Sequence, residues 1–150
     1  MNGFLPLEQY KQMLDLMVIP CVDVIAKYKK QFVLIKRENE PAKGQWWLPG
    51  GRIFKGETIA EAGKRKLKEE TKLTGTIVKT VGPYETQFKE APFGIKSGVH
   101  SINVVLVMNI KDITSLSADK DHSAAQFFSK IEKSWHPYLK QVLKDAGFSE

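Results

Sequence analysis

The chain has 150 residues, 42% of them hydrophobic, which suits one folded domain with a single buried core. Its net charge of +6 favours anionic ligands, but the lysines are scattered, without the Arg-rich or aromatic-interleaved block typical of nucleic-acid binding. No apolar run approaches the ~20 residues needed to cross a bilayer, and the amino-terminal residues lack the pattern of a signal peptide. We therefore expect a single domain over residues 1–150, located in the cytoplasm, that binds neither nucleic acid nor membrane.

Apolar residues recur along the chain at the spacings of strands and amphipathic helices. In chain order, the predicted elements are a helix over 7–17, strands over 18–28, 31–37 and 46–48, a helix over 58–72, strands over 74–88, 100–110 and 124–128, and a final helix over 131–146 bent at Pro137. Residues 116–123 are predicted to form a loop. The lone Cys21 lies in the first strand and is expected to be a small buried hydrophobe. This order predicts an α+β fold in which a mixed sheet packs between helices.

The segment around residues 57–69 predicts a charged helix that follows an acidic residue. Glu57 lies just before the helix, where the helix dipole favours an anion. Glu61, Arg65 and Glu69 follow at intervals of four residues. Their side chains are therefore expected to form a ladder of ion pairs along one face of the helix.

Two neighbouring carboxylates on this helix predict a metal site. Glu70 lies beside the ladder and is free to point elsewhere, and Glu69 and Glu70 together suit a hard cation such as Mg²⁺, which prefers oxygen ligands. A backbone carbonyl of the preceding Gly50-Gly51 turn would add another ligand. A glutamate pair alone, however, is more often part of a solvated helix face with ordinary salt bridges. The spacing of the whole segment must decide between these two interpretations.

That spacing resembles the Nudix box, which runs Gly, five residues, Glu, seven residues, Arg-Glu, an aliphatic residue, any residue, Glu-Glu, any residue, Gly and an aliphatic residue. Seven positions fall in register, namely Gly51, Glu57, Arg65, Leu67, Glu69, Glu70 and Leu73. On this resemblance the chain is identified as a member of the Nudix hydrolase superfamily. The resemblance implies a Nudix-type α/β/α sandwich with a mixed β-sheet, and a hydrolase that uses Mg²⁺, with Mn²⁺ as an alternative ion.

Two positions depart from the box, since Lys66 replaces its second Glu and Lys72 replaces its Gly. The change at Lys72 is structurally mild. Lys66 lies one helical turn before Glu70, at a position that would normally share metal ions with it. An ammonium group has no lone pair to offer a metal ion and would repel a second cation. The departure therefore favours a reaction that needs one Mg²⁺ over a reaction that needs several.

The chain also resembles one branch of the superfamily, the GDP-mannose mannosyl hydrolases, which lack the same glutamate. The resemblance covers residues 4–73, with a run of matching motifs over residues 36–52, and it reappears at residues 104–106 and 121–122. It implies attack of water on the anomeric carbon of a nucleoside-diphosphate sugar, which releases the free sugar and the nucleoside diphosphate. Attack from the opposite face predicts inversion at that carbon. A homodimer is also implied.

The matching positions imply roles in substrate binding. The residues that would contact the nucleotide base are Phe4, Leu5 and Tyr10. Arg37 and Arg52 would hold or neutralise the diphosphate, a task that suits a planar fork that is always charged. Asp23 would touch the sugar or its leaving oxygen.

Other matching positions imply a metal site and a general base. Glu70 and the Gly50 carbonyl would bind Mg²⁺, and the Asp121 carbonyl would be a third protein ligand. His122 would take a proton from the attacking water, because an imidazole titrates near neutral pH. Without the resemblance, a lone histidine in a predicted loop is more often a surface residue.

Three other functions remain open at this stage. The first is hydrolysis of another nucleotide sugar, with a different base or hexose, instead of a GDP-mannose-like substrate. A second alternative is cleavage between the two phosphates by means of Glu69 and Glu70. A third is a Nudix-fold nucleotide-binding module without catalysis, against which the retained charged residues Glu57, Arg65, Glu69 and Glu70 argue.

Overall fold

The computed structural model describes residues 4–150, and the predicted domain's residues 1–3 lie outside this range. The elements are α1 (Leu7–Leu16), β1 (Ile19–Tyr28), β2 (Gln31–Arg37), β3 (Trp46–Trp47), β4 (Gly50–Arg52), α2 (Ile59–Thr71), β5 (Thr76–Phe88), a 3₁₀ turn (Pro92–Gly94), β6 (Val99–Asn109), β7 (His122–Phe128) and α3 (Pro137–Asp145). Within residues 4–150, no helix is long and apolar enough to cross a membrane.

The strands form one mixed sheet. Its main path runs β3-β2-β1-β6-β5, while β4 pairs with β1 and β7 pairs with β2. β1 and β6 run parallel, and the other pairs are antiparallel. A parallel pair needs a long connection between its strands, and the chain from β1 to β6 includes α2. The mixed sheet expected from the sequence is confirmed.

Helices cover both faces of the sheet because the central strands are apolar on both sides. Successive residues of β1 point to opposite faces, so Val24 packs in one core with Leu67 of α2. Ile25 packs in the other core with Leu139 and Val142 of α3. This layering confirms the predicted α/β/α sandwich.

α2 begins where the sequence supplies a capping box. The Thr58 hydroxyl accepts a hydrogen bond from the Glu61 N–H at 3.1 Å, and the Glu61 carboxylate accepts one from the Thr58 N–H at 2.8 Å. Glu61 therefore caps the helix and is not part of the ion-pair ladder that was expected for Glu61, Arg65 and Glu69. Arg65 pairs with Glu69 as expected, but its other partner is Glu57.

The final helix is shorter than predicted, and its proline is the first residue instead of lying inside the helix. α3 begins at Pro137, because proline fits the first helical turn, where its missing N–H removes no intrahelical bond. Nδ1 of His136 caps the helix by accepting a hydrogen bond from the Tyr138 N–H at 3.1 Å. The residue predicted to bend the helix is therefore the residue that starts it.

Two short segments predicted to be irregular belong to the sheet. Gly50 and Gly51 form part of β4, where they pair with Asp23 and Val22 of β1. His122, expected in a loop, is the first residue of β7 and is paired with Arg37 of β2. These strand pairings fix the backbone at several predicted site residues, among them Asp23, Arg37 and His122.

We predict that Lys72→Gly stabilises the fold. Lys72 ends α2 in the left-handed conformation, with φ of 64°. That conformation costs a residue with a Cβ about 1–2 kcal/mol, and the flexibility of glycine in the unfolded chain offsets part of the gain. We therefore expect the free energy of unfolding to rise by about 1 kcal/mol in urea titrations. Lys68→Gly is the matched control, and it should destabilise the helix interior by about 1 kcal/mol. A loss of stability in both variants would contradict the prediction.

Candidate active site

A cavity of about 180 Å³ brings together most of the predicted substrate residues. Tyr10, Asp23, Arg37 and Arg52 all line it, with the backbone of β4 forming one wall. These residues come from α1, β1, β2 and β4, so the cavity exists only in the folded chain. Phe4 and Leu5 are not among the described residues that line it, and Phe4 is 82% exposed.

Asp23 is the buried carboxylate at the floor of this cavity. Its Oδ2 accepts hydrogen bonds from the Tyr138 hydroxyl and from Nδ2 of Asn103, the latter at 2.9 Å. Burial raises the pKa of Asp23 above its usual value, and the two hydrogen bonds together with the charge of Arg37 act in the opposite direction. With both bonds made to Oδ2, the other oxygen is left to face Gly50.

The hydrogen-bond network continues along the cavity floor beyond Asn103. The Ser101 hydroxyl donates to Oδ1 of Asn103 at 2.8 Å, and the Thr86 and Ser101 hydroxyls lie 2.7 Å apart. All three side chains are buried and line the cavity. This network was not predicted from the sequence. Its signal was the alternation of polar Ser101 and Asn103 with apolar residues in β6, which places both on one face of the strand.

Gly50 separates Asp23 from Glu70, and only glycine fits there. A Cβ at Gly50 would lie 2.1 Å from Oδ1 of Asp23 and 2.4 Å from the Val22 carbonyl oxygen. Because Gly50 has no side chain, β4 can pack directly against β1 at this position. The Gly50 N–H then points the other way and donates to Oε1 of Glu70 at 2.7 Å.

Glu70 is the second buried carboxylate of the site, with 3% of its surface exposed. Its Oε1 accepts the Gly50 N–H, and its Oε2 lies 3.2 Å from Nε2 of His122. Burial raises the pKa of Glu70, while the charges of Lys66 and His122 lower it. The side chain therefore points toward the Gly50 segment.

His122 is held on its other side by a residue that the sequence analysis did not select. Its Nδ1 lies 2.6 Å from Oδ1 of Asp119, and the ring is buried rather than exposed. One atom from each of Glu70, Asp119 and His122 lies within 4.8 Å of the others, a spacing that could hold a metal ion. Two carboxylates and an imidazole are a donor set that fits a divalent cation. Asp119 had no signal in the sequence beyond its position in a predicted loop.

Among the described residues, Asp121 is not part of the cluster formed by Glu70, Asp119 and His122. Its carboxylate accepts a hydrogen bond from Nδ2 of Asn39 at 3.4 Å on the surface, and its carbonyl accepts one from the Glu38 N–H at 3.3 Å. The structure thus brings Asp119 beside His122, while the side chain of Asp121 ties down the loop after β2.

Arg65 anchors the loop between β4 and α2. Its guanidinium donates to both carboxylate oxygens of Glu57 and to the Arg52 carbonyl, the latter at 3.0 Å. The guanidinium also lies 3.7 Å from the ring centroid of Phe54. Hydrogen bonding to Arg65 holds the pKa of Glu57 below its usual range. These contacts fix the segment that carries Arg52.

The two arginines at the cavity are oriented by the protein itself. Nε of Arg37 donates to the Pro41 carbonyl at 2.7 Å. The Arg52 guanidinium lies 4.6 Å from the ring centroid of Phe54 and 5.8 Å from that of Tyr10. A guanidinium presents its N–H donors in a planar fork, which suits a bidentate anion such as a phosphate.

The protein thus combines a three-layer α/β/α fold with a buried helix carboxylate that adjoins a cavity lined with arginines. A sequence model of the NUDIX domain matches residues 17–145, and the chain therefore belongs to the NUDIX domain family. Its family membership, expected from the box, is confirmed.

Two related proteins align with this chain over different fractions of its length. The low-salt glycan biosynthesis protein Agl8 of Haloferax volcanii is 27% identical over 139 residues, which cover 93% of this chain and 88% of that protein. An ADP-ribose pyrophosphatase of Methanocaldococcus jannaschii is 36% identical over 107 residues, which cover 71% of this chain and 59% of the relative. The chain therefore spans less than two thirds of that second protein.

Solved structures support the fold. A NUDIX hydrolase from Nitrosomonas europaea superimposes with a TM-score of 0.71 at 17% identity, over 87% of this chain and 88% of that chain. A bifunctional NMN adenylyltransferase/ADP ribose pyrophosphatase from Francisella tularensis gives 0.62 at 20% identity, over 86% and 41%. At these identities, the likeness shows the α/β/α fold of Nudix hydrolases.

We predict that Asp23→Asn raises the free energy of unfolding at pH 7. Because the pKa of Asp23 is raised in the folded state, the ionised carboxylate is less stable there than in the unfolded chain, and a neutral amide removes that cost. The gain should fade as the pH falls through the folded pKa, and it should vanish below about 3.9, where an unfolded aspartate is protonated. Urea unfolding at several pH values measures both effects.

Asp145→Asn is the control for this prediction. Asp145 is exposed, and its hydrogen bond from Tyr84 lowers its pKa, so its replacement should give no gain at pH 7. Equal effects of the two substitutions at every pH would contradict the assignment of Asp23 as a buried carboxylate with a raised pKa.

Proposed function

We propose that the protein hydrolyses a nucleoside-diphosphate sugar of the GDP-mannose type, with Mg²⁺ as its metal ion and Mn²⁺ as an alternative. Water attacks the anomeric carbon, and the products are the free sugar and the nucleoside diphosphate. The observation that carries this proposal is the composition of one cavity. Two arginines and a buried carboxylate line it together, and the Glu70–His122 pair adjoins it through Gly50.

In this proposal, Arg37 and Arg52 bind the diphosphate. Both line the cavity, and their planar guanidinium groups suit the paired oxygens of a phosphate. The leaving nucleoside diphosphate gains negative charge as the bond to the sugar breaks. Cations fixed in advance stabilise that charge without further rearrangement, which lowers the barrier. Tyr10 on the same cavity wall, together with Phe4 and Leu5, would contact the base.

Asp23 contacts the sugar in this proposal. Its carboxylate lies at the buried end of the cavity, and Tyr138 and Asn103 fix its orientation. The hydroxyl groups of Thr86 and Ser101 lie along the same floor, so the buried end offers acceptors and donors to a polyol. Arg37 and Arg52 line the same cavity, so it offers cations to a diphosphate and neutral polar groups to a sugar.

Glu70 and Asp119, the two carboxylates of the cluster, are proposed to hold Mg²⁺. The carbonyls of Gly50 and Asp121 are proposed as further ligands. Bound there, the ion would stabilise the leaving diphosphate. Mg²⁺ prefers oxygen ligands to nitrogen, so His122 can remain free for proton transfer even though it belongs to the cluster.

His122 is the proposed general base. Asp119 contacts Nδ1, which orients the ring and leaves Nε2 directed toward Glu70 and the Gly50 wall. A carboxylate that holds the far nitrogen of a histidine fixes its tautomer, as in other histidine bases. His122 itself does not line the cavity among the described residues, so water must reach it beside Gly50.

The relatives offer support for two different reactions. The glycan biosynthesis protein shares nearly the whole length of this chain, which is consistent with a nucleotide-sugar substrate. The ADP-ribose pyrophosphatase favours a second candidate, cleavage between the two phosphates with help from Glu69. Against the second candidate, the Glu69 carboxylate is already paired with Arg65 and Lys66. A cytoplasmic homodimer remains part of the proposal.

The products of hydrolysis distinguish the candidate functions. We expect the pure protein, incubated with Mg²⁺ and a panel of nucleoside-diphosphate sugars, to release free sugar and nucleoside diphosphate, as measured by anion-exchange chromatography. Sugar phosphate together with nucleoside monophosphate would instead establish pyrophosphohydrolysis. Binding without turnover of any substrate would identify a nucleotide-binding module.

We predict that His122→Ala lowers kcat by about 10²–10⁴-fold, the usual contribution of a general base, with a smaller change in KM. His100→Ala is the matched control, since His100 is a partly exposed histidine of β6 that pairs with Glu85. Steady-state rates with the best substrate of the panel measure both. If the two variants turn over equally fast, His122 is not the base.

A further inference from the structure

The buried carboxylate of Asp23 sets the direction of the hydrogen bonds along the cavity floor. Its Oδ2 accepts hydrogen bonds from the Tyr138 hydroxyl and from Nδ2 of Asn103, the latter at 2.9 Å. The amide nitrogen of Asn103 thus faces Asp23, and Oδ1 of the same amide faces the other way. Because an amide oxygen only accepts hydrogen bonds, the groups on that side have to donate.

Two hydroxyl groups lie on the Oδ1 side of Asn103. The Ser101 hydroxyl donates to Oδ1 at 2.8 Å, and this bond uses its single hydrogen atom. The Thr86 and Ser101 oxygens lie 2.7 Å apart, a contact in which either hydroxyl could donate. Since the hydrogen of Ser101 is already used, Thr86 is the donor in this contact. The 3.5 Å approach of the Thr86 hydroxyl to Oδ1 of Asn103 agrees with this direction.

The chain of hydrogen bonds therefore runs one way, from Thr86 through Ser101 and Asn103 to Asp23. Thr86 is its first member, so its hydrogen points along the chain. A hydroxyl oxygen has two lone pairs, and neither is used when Thr86 donates to Ser101. Thr86 is 7% exposed and lines the cavity. Its oxygen is thus held so that it can accept a hydrogen bond from a ligand but cannot donate one.

Aromatic rings flank this oxygen. Phe88 follows Thr86 by two residues in β5, so both side chains take the same face of the strand. Trp47 and Phe88 line the cavity, and their ring centroids lie 5.7 Å apart. A polar group that stays unmatched in such surroundings is costly. A ligand group that cannot donate to Thr86 therefore binds poorly at this place, as in other sites built to hydrogen-bond a substrate hydroxyl.

We propose that Thr86 is a specificity-determining residue that accepts a hydrogen bond from a hydroxyl group of the sugar. This inference rests on the proposed nucleoside-diphosphate sugar substrate and deepens it. The site selects a sugar that carries a hydrogen-bond donor at one position and rejects a sugar with a group there that only accepts. A carboxylate at that position also meets the like charge of Asp23, so the site favours neutral sugars over acidic ones.

The test measures binding of GDP-mannose to the full chain by titration calorimetry, with EDTA present to prevent turnover. In a set of analogues, one sugar hydroxyl at a time is replaced by fluorine, which cannot donate a hydrogen bond. We expect fluorine at one position to weaken binding to the wild type about tenfold, the effect of one lost hydrogen bond. Thr86→Val removes the acceptor at nearly constant shape. This variant should bind GDP-mannose about tenfold more weakly and should no longer respond to fluorine at that position.

Two further variants control the test. Thr80 is an exposed residue of the same strand, so Thr80→Val should leave the fluorine effect intact. Thr86→Ser keeps the hydroxyl and should keep the selectivity. GDP without the sugar should bind all variants equally, which shows that each is folded.

Three outcomes overturn the inference. They are equal affinities of the wild type for GDP-mannose and GDP, a wild type that tolerates fluorine at every position, and a fluorine effect that persists unchanged in Thr86→Val. Because the readout is binding, it is independent of the product assay, which alone decides which bond of the substrate is cleaved.

Discussion

The contact between the Gly50 N–H and the Glu70 carboxylate is the interaction on which the site depends. It joins α2, on one face of the sheet, to β4, which forms a wall of the cavity. The contact requires a residue without a side chain at position 50, because β1 occupies the space where a Cβ would lie. One close backbone approach thus sets the distance between the helix carboxylate and the cavity.

Two carboxylates are buried on either side of this contact, and each is unfavourable to bury alone. Asp23 is compensated by hydrogen bonds from Tyr138 and Asn103, and Glu70 by the Gly50 N–H together with two basic side chains. Even so, burial raises the pKa of both groups. The fold therefore gives up some stability to keep two carboxylates at the site, a common feature of catalytic centres.

Two adjacent cations of α2, Arg65 and Lys66, act on different parts of the site. Arg65 points back to the loop before the helix, where it holds Glu57 and the Arg52 carbonyl, so it fixes backbone. Lys66, the next residue, points across β4 and neutralises carboxylates beside the cavity. Neighbouring helix residues face directions about 100° apart, which is why adjacent cations of the same helix serve different parts of the site.

The sequence by itself determined what depends on spacing along the chain. The strand 31–37 and the helix that carries Arg65, Glu69 and Glu70 follow from local patterns, and the structure has both close to where they were expected. Only the tertiary structure brought Tyr138 to Asp23 across 115 positions of sequence, and Asn103 to it across 80. Likewise, it moved His122 from a predicted loop into β7 and placed Asp119 beside it. The physical reason is that strand pairing and packing between layers join distant residues, whereas periodicity reports only which face a residue takes.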